Sequence, residues 1–274
     1  MVIMVSDGKV LIIKTKPMKR KNLMSMVLFA VMFSVAHVGL CVAGKKPSVS
    51  SQKEVTLKGD KNVITRRIDV GDFNKIEIRG NVDVQYSQAE APDVMSVTLD
   101  KNLFDVYDFG VDVNTLIIAP KKEYKNTKIA PTRFVVKVSS CSLEKIVNEG
   151  TGTFEVLTPI ESHKLRIENK GSGKVLSMKA ITVKNLEVEN TGSGDIIVVG
   201  KAEKGKLLIA GSGKINMENC AVFDCSCEVS GSGNIFVYAV DDLDCKMFGS
   251  GNVLYLGDPD ITKDSPGTGR VMRR

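Results

Sequence analysis

Hydrophobic and polar residues alternate in short runs that recur about every twenty positions in the C-terminal half of the chain. Each run follows a Gly-x-Gly triplet. The first glycines of six triplets are 21, 21, 19, 20 and 18 residues apart, and a looser copy, Gly267-Thr268-Gly269, follows 18 residues later. Such alternation, rich in β-branched residues, predicts a strand with one buried face after each triplet. The apolar positions, four and six residues after the first glycine, are mainly Phe154 and Val156, Val175, Ile196 and Val198, Ile215 and Met217, Ile235 and Val237, and Val253 and Tyr255.

A second short strand precedes each triplet, as in Leu165-Arg166-Ile167, Leu186-Glu187-Val188 and Leu207-Leu208-Ile209. Each repeat is therefore predicted as strand, glycine corner, strand and connector. We expect glycine at the corner for two reasons. The corner has to reach a positive φ, and it has to let neighbouring coils approach closely.

A fixed period near twenty residues, with no helical run in any repeat, indicates stacked copies of one β unit. About twenty residues at ~3.3 Å each give a coil perimeter of roughly 65 Å, which suits a small three-sided turn. Coils stacked at about 4.8 Å would pair as a parallel sheet, which makes the fold an all-β solenoid. Ser232 would then stack on Ser250, and Asn234 on Asn252 as an amide ladder. A β-sandwich with Gly-Ser-Gly hairpin turns is the alternative.

The N-terminal half also alternates as strands, but its period is blurred and its loops are longer. We expect Asn102–Gly110 to form a short helical turn or an irregular excursion. This half is predicted to start the solenoid and to cap it, because an open coil would leave strand edges unpaired; a separate small β domain is the alternative. The predicted strands are 63–68, 75–78, 82–86, 95–99, 116–118 and 134–138.

The N-terminus has the pattern of an export signal. Residues 18–44 combine a basic start, an apolar stretch and small residues at a cleavage site, so they are predicted to be a secretory signal peptide. Residues 1–17 would be an upstream extension, and the polar residues 45–62 a flexible lead-in. A retained membrane anchor and a lipid attached to Cys41 remain alternatives.

The net charge of +6 comes mostly from this N-terminal segment. Residues 1–44 hold six basic groups and one acid, which leaves 32 basic against 31 acidic residues, or +1, in the rest. A nearly neutral chain does not attract nucleic acid by its charge, so nucleic acid is excluded as the expected partner.

Five cysteines lie beyond the predicted cleavage site, and an odd number does not suggest a disulfide framework. Cys227 and Cys245 each lie four residues before a triplet, which places them in one inward column on adjacent coils. The coil spacing would allow a disulfide, but stacked neighbours in a ladder point the same way, which favours buried free thiols. Cys225-Ser226-Cys227 lacks the Cys-x-x-Cys spacing of redox and zinc sites.

Three segments resemble the family of auto-transporter adhesin head GIN domains. They are the strand pair Phe73–Tyr86, the Gly-Ser-Gly series, and the closing segments Tyr255–Pro259 and Pro266–Gly269. Together they span about residues 65–270, and we assign 63–274 to one GIN-like domain. The resemblance implies an all-β, right-handed, single-stranded β-helix-like fold and an exported protein. The cysteines between 220 and 245 depart from the family pattern.

We therefore expect an exported, non-enzymatic binding or adhesin-like module located in the periplasm, in the outer membrane or at the cell surface. Its expected partner is an envelope glycan or protein, and the membrane is expected to be contacted only through the N-terminal segment. Phe236, Tyr238 and Leu254 are candidates for an exposed contact strip, or for contact with a second subunit in a homo-oligomer. We predict no catalytic residue, no cofactor and no metal site.

The alternatives are a polysaccharide-active enzyme and a structural subunit of the envelope. An enzyme would need paired carboxylates or a placed acid/base group. Asp195 instead falls between Lys174 and Lys214 in the predicted stack, which favours a salt-bridged surface ladder. His163 is predicted to be a solvated residue of a connector. Gly192–Asp195 faintly matches calcium-binding nonapeptide loops, but the aspartate does not recur and the period differs.

Overall fold

The computed structural model describes residues 2–6, 9–13, 56–92 and 94–274, and the chain divides into two compact units. The unit Met1–Ser51 contains β1 (Val2–Ser6) and β2 (Lys9–Ile13), which pair antiparallel. The unit Gln52–Arg274 is a β-solenoid of about six turns, as predicted. The predicted signal peptide, the alternative lipid site at Cys41 and most of the predicted lead-in lie outside the described residues.

The N-terminal half of the solenoid is built from ten short strands and two 3₁₀-helices. One helix, Lys101–Val106, forms the helical turn predicted within 102–110, and the other is Lys122–Tyr124. The strands are β3 (Thr56–Lys58), β4 (Val63–Ile68), β5 (Lys75–Ile78), β6 (Asp83–Gln88), β7 (Met95–Asp100), β8 (Tyr107–Asp112), β9 (Thr115–Pro120), β10 (Lys128–Ala130), β11 (Phe134–Ser140) and β12 (Lys145–Asn148).

The C-terminal half consists of coils in which one strand runs through most of a turn. Successive coils pair in parallel, residue on residue, with small register shifts at the corners. Parallel pairing rules out the sandwich of hairpins, whose strands would be antiparallel. The strands are β13 (Thr153–Val156), β14 (Ile160–Asn169), β15 (Lys174–Asn190), β16 (Asp195–Ile209), β17 (Lys214–Val229), β18 (Asn234–Met247), β19 (Val253–Leu256), β20 (Asp260–Asp264) and β21 (Val271–Arg273).

The predicted inward columns form the core. Ile196 is the register partner of Ile215, which in turn is the partner of Ile235, and all three are fully buried. Phe154, the register partner of Val175 in the same column, is also fully buried. Each coil thus contributes one residue per column, and the columns run along the solenoid.

Close approach is the reason for glycine at the corners. A Cβ on Gly194 would lie 1.7 Å from the carbonyl oxygen of Gly173, and one on Gly213 would lie 1.9 Å from that of Gly194. The expected positive φ is wrong, because none of the triplet glycines is among the residues with positive φ. The corners are instead tight stacks in which, for example, the Gly173 N–H donates to the Gly150 carbonyl at 3.0 Å.

A buried asparagine ladder supports three of the corners. Asn148, Asn169 and Asn190 lie two residues before a triplet and are almost completely buried. Each side-chain amide donates to the carbonyl of the second glycine of its triplet, at 3.3, 3.0 and 2.7 Å. The ladder thus gives the glycine carbonyls of these corners a side-chain donor, which the Gly152 carbonyl has in addition to the backbone N–H of Lys174.

The N-terminal half confirms the predicted start and cap, but its strands stack out of chain order. Strands β5 and β6 form a coil that lies between two later ones: β9 and β11 on one side, and β12 and β13 on the other. The neighbours β5 and β12 are 70 residues apart, and the Thr153 N–H donates to the Asp83 carboxylate across the same gap at 2.9 Å.

Antiparallel strands close this end. Strand β8 pairs with β9, and β4 pairs with β7, which pairs with β11. At the opposite end β20 and β21 each have one partner strand, and every residue of β20 is exposed. Charged residues on that edge, such as Asp260 and Lys263, disfavour pairing with another strand.

Part of the predicted flexible lead-in is ordered. Thr56–Lys58 forms β3, which pairs in parallel with β10. Leu57 and Ile129, which are register partners in this pair, both pack against the core. This packing explains why the solenoid begins before residue 63.

Candidate functional site

The coils have three outward walls, which we name by their position relative to the triplet. The first wall follows the triplet, the second is the former connector, and the third precedes the next triplet. The second wall is also made of paired strands, as the register of Ile160 with Ile181 shows. His163, predicted in a connector loop, therefore lies in β14 and is exposed. Each side of the coil consists of strands that pair with the next coil. The predicted connector is therefore a strand and not a flexible loop.

One outward row runs along the whole first wall. Its members are successive register partners on eleven adjacent strands, from β4 at the capped end to β21 at the open end. We call this set the outer row; in spatial order it is Arg67, Ser96, Lys137, Gln85, Glu155, Leu176, Ile197, Asn216, Phe236, Leu254 and Met272.

The outer row changes chemistry along its length. Five of the last six members, from Leu176 to Met272, are apolar, and Phe236 and Leu254 are half-buried although they face outward. Tyr238 lies beside them and is 38% exposed. Phe236 and Leu254 are register partners on this face, whereas Tyr238 pairs with Ala221 beyond a register shift and so continues the row of Lys201 on the second wall. The role of all three residues in contact stays a prediction.

The polar half of the row lines two depressions that adjoin on the wall. Their volumes are about 410 and 480 Å³, and they share Gln85 and Lys137. Arg67, Ser87 and Ser96 line the first, while Asp83, Arg133 and Glu155 line the second. We call the two together the cationic hollow.

The third wall carries a connected network of ion pairs. Glu168 is at its centre and contacts Lys145 at 2.8 Å, Arg166 at 2.6 Å and Lys170 at 3.1 Å. Burial by itself raises the pKa of Glu168, but hydrogen bonds from these three cations outweigh burial and lower the pKa to about 2. The network extends through the pairs Arg166–Glu187, Arg166–Glu189, Lys170–Glu149, Arg79–Glu149 and Arg79–Glu77.

We expect the Glu168 network to make the fold sensitive to acid. Because the folded pKa is below the usual value, this stabilisation is fully present above about pH 4.5 and is lost as pH falls towards 2. Glu168→Gln should cost about 2–3 kcal/mol in urea unfolding at pH 7 and flatten the acid dependence of stability.

The matched control is Glu187→Gln, because within the described part of the chain Glu187 forms a single ion pair, with Arg166. It should cost less than about 1 kcal/mol at pH 7. Equal pH profiles for the parent and Glu168→Gln would contradict the central role of this carboxylate.

The second wall bears a smaller groove of about 530 Å³. Phe223, which is 41% exposed, is at one end of it. Its lining carries balanced charge, with two lysines, Lys184 and Lys201, and two glutamates, Glu161 and Glu203.

The cysteines occupy the predicted column. Cys227 and Cys245 are register partners on adjacent coils, both fully buried and both free thiols. The Sγ atoms of Cys225 and Cys227 are 3.7 Å apart. Burial raises the pKa of Cys220 to about 12, which makes this thiol unreactive.

Asp195 does not form the predicted salt-bridged ladder. Its carboxylate accepts a hydrogen bond from the backbone N–H of Lys214 at 3.2 Å. The predicted amide ladder is present, since Asn252 Nδ2 donates to Asn234 Oδ1 at 3.1 Å. In the described part of the chain, no three His, Cys, Asp or Glu side chains are placed to hold a metal ion, and no helix is long and apolar enough to cross a membrane.

The sequence predicted Phe236 and Leu254 from the apolar half of the outer row, but it did not predict Leu176, Ile197 and Met272 as contact residues, and it did not predict the cationic hollow. The apolar residues recur with the triplets and so share their period. Arg67, Arg133 and Lys137 belong to strands that have no common spacing, and only the fold aligns them.

Known proteins share both the sequence pattern and the fold. Residues 72–259 match the family described as "Putative auto-transporter adhesin, head GIN domain". No curated protein matches the sequence.

Solved structures show the same likeness. A putative adhesin from Bacteroides fragilis NCTC 9343 is 25% identical with a TM-score of 0.74, covering 80% of this chain and 100% of that one. A putative lipid binding protein from Parabacteroides distasonis ATCC 8503 is 30% identical with a TM-score of 0.63, covering 80% and 99%. A putative adhesin from Parabacteroides merdae ATCC 43184 is 25% identical with a TM-score of 0.63, covering 80% and 99%.

Proposed function

Because the chain belongs to the family described as "Putative auto-transporter adhesin, head GIN domain", we propose that it is an exported, non-enzymatic, adhesin-like module that binds an envelope glycan or protein through its outer row. The observation that carries this proposal is the continuity of that row over eleven strands. A flat face with aligned apolar side chains offers a long contact surface without an enclosed cavity.

The rest of the surface supports a binding role over catalysis. On the third wall Glu168, Glu187 and Glu189 are each paired with adjacent cations, and the Asp195 carboxylate accepts a hydrogen bond from a backbone N–H. Such groups are held in place and are poorly suited to proton transfer with a substrate. The alternative hypothesis is a polysaccharide-active enzyme. It predicts that the protein releases reducing ends from envelope or host glycans, whereas the binding proposal predicts no such release.

The test is binding of the purified full chain to an envelope fraction. We expect the double variant Phe236→Gln with Leu254→Gln to weaken binding at least about tenfold, because aromatic and apolar anchors dominate interface energies. Lipid vesicles are included as a second probe, since one similar structure is described as a putative lipid binding protein.

The matched control is Phe223→Gln, which removes an exposed aromatic from the second wall. It should bind as the parent does. Equal binding by the parent, the double variant and the control would contradict the proposal that the outer row is the contact surface. Protease shaving of intact cells tests the location, since a surface protein is cleaved and a periplasmic one is protected.

A further inference from the structure

The cationic hollow differs from the rest of the charged surface in its lack of internal pairing. Within the part of the chain that the structure describes, no salt bridge involves Arg67, Arg133 or Lys137. All three side chains are exposed. On the third wall, by contrast, Lys145 and Arg166 are paired with glutamates.

The two carboxylates of the hollow are already engaged. Asp83 accepts a hydrogen bond from the Thr153 N–H at 2.9 Å, and Glu155 accepts one from the Gln85 amide at 3.5 Å. These donors are neutral, so both carboxylates keep their negative charge, and three basic groups against two acids leave the hollow a net charge of +1. The excess positive charge lies in the first depression, which is lined by Arg67 and Lys137 and by no carboxylate. Exposed cations that converge on a depression favour an anionic ligand.

The spacing of these cations indicates a ligand that carries several anionic groups. Arg67 and Lys137 share a row two strands apart, which is about 10 Å between backbones. Arg133 is four residues from Lys137 along the strand direction, or about 13 Å. One small anion would not span these positions, whereas acidic groups repeated along a chain would.

The remaining lining suits sugar hydroxyl groups. Gln85, Ser87 and Ser96 add amide and hydroxyl groups to this lining, and Ser96 lies between Arg67 and Lys137 in the outer row. Two adjoining depressions with about 410 and 480 Å³ are each large enough for a small-molecule group.

We propose that the cationic hollow binds an acidic oligosaccharide, with Arg67, Arg133 and Lys137 holding its carboxylate or sulfate groups. This inference rests on the proposed binding function, and it names the ligand class for the polar half of the outer row. Leu157 and Leu176, at the edges of the two depressions, supply apolar surface for the faces of the sugar rings.

The test is calorimetric titration of the full chain with oligogalacturonate at low salt. We expect binding that weakens as salt is raised, because screening reduces the attraction between exposed charges. Lys137→Gln and Arg133→Gln should each weaken it about tenfold, since each removes a charge-assisted contact. Lys206→Gln is the control: it removes the same charge from an exposed site on the third wall and should leave binding unchanged.

Three comparison probes separate the sources of negative charge. A neutral maltooligosaccharide and inorganic phosphate should not bind measurably. Binding of phosphate as tight as that of oligogalacturonate would overturn the proposal in favour of a simple anion site. Binding of phosphatidylglycerol vesicles without binding of oligogalacturonate would overturn it in favour of a membrane surface.

Failure of this inference is distinguishable from failure of the proposed function. If the parent binds the envelope fraction and Lys137→Gln binds it equally well, while oligogalacturonate is not bound, the ligand class is wrong and the binding function holds. If the parent binds neither, both are wrong.

Discussion

Replacing Gly194 with alanine is expected to destabilise the solenoid by more than about 4 kcal/mol, among the largest effects of any single substitution. The added Cβ would lie 1.7 Å from the carbonyl oxygen of Gly173, with further backbone atoms at 2.8 Å. Backbone atoms that belong to a stacked corner cannot rotate away as a side chain can. The two coils would have to separate, which would lengthen the parallel hydrogen bonds on both sides of the corner.

Gly110→Ala is the matched control, because no atom lies within 4 Å of a Cβ at that position. Its φ is also outside the positive region, so we expect a change within about 0.5 kcal/mol. Urea unfolding followed by circular dichroism measures both variants. A Gly194→Ala protein with the parent's midpoint would show that the coils can spread at no cost, against the close-packed corner described above.

Phe154→Ala is expected to cost about 3–5 kcal/mol, since it leaves a cavity in a packed core. Phe154 is fully buried, and its ring stacks on that of Tyr86 with centroids 6.0 Å apart. The two rings belong to β13 and β6, strands from distant parts of the sequence that lie side by side. The substitution therefore weakens the junction between the two halves of the solenoid.

The control for this variant is Phe248→Ala, which removes a ring that is 52% exposed. It should cost less than about 1 kcal/mol, because little apolar surface returns to water. Thermal unfolding of the two variants and the parent is the measurement. Equal losses from Phe154→Ala and Phe248→Ala would mean that the junction does not depend on this packing.

The sequence was sufficient to predict the regular part of the fold. Equal spacing of the triplets implied that Ile196, Ile215 and Ile235 form one column, and β-branched alternation set which face of each strand is inside. These inferences succeed because a parallel stack converts a sequence period directly into spatial neighbours.

The interleaved N-terminal coil could not be predicted by the same reasoning. Strands β5 and β12 pair across 70 residues without any repeated spacing that would mark them as neighbours. The asparagine ladder was not predicted from the sequence for a related reason. Asn148, Asn169 and Asn190 occupy only three coils, and the same position holds Ile209 and Val229 in the next two.

For the same reason, the sequence predicted only the part of the candidate site whose residues recur with the triplets. Phe236 and Leu254 recur with the period and were expected together. The cations Arg67 and Lys137 come from a capping strand and from an early coil, and they share a row only because antiparallel pairing sets β7 between them.

The interleaving of the first coil also bears on the order in which the chain can fold during synthesis. When β5 and β6 leave the ribosome, neither of the strands that will lie above and below them has been made. Both neighbours of this coil arrive only once residue 156 has emerged, so the first coil cannot serve as a template on which later coils wind one by one. Folding must wait for a block of some eighty residues and then proceed from it towards the C-terminus.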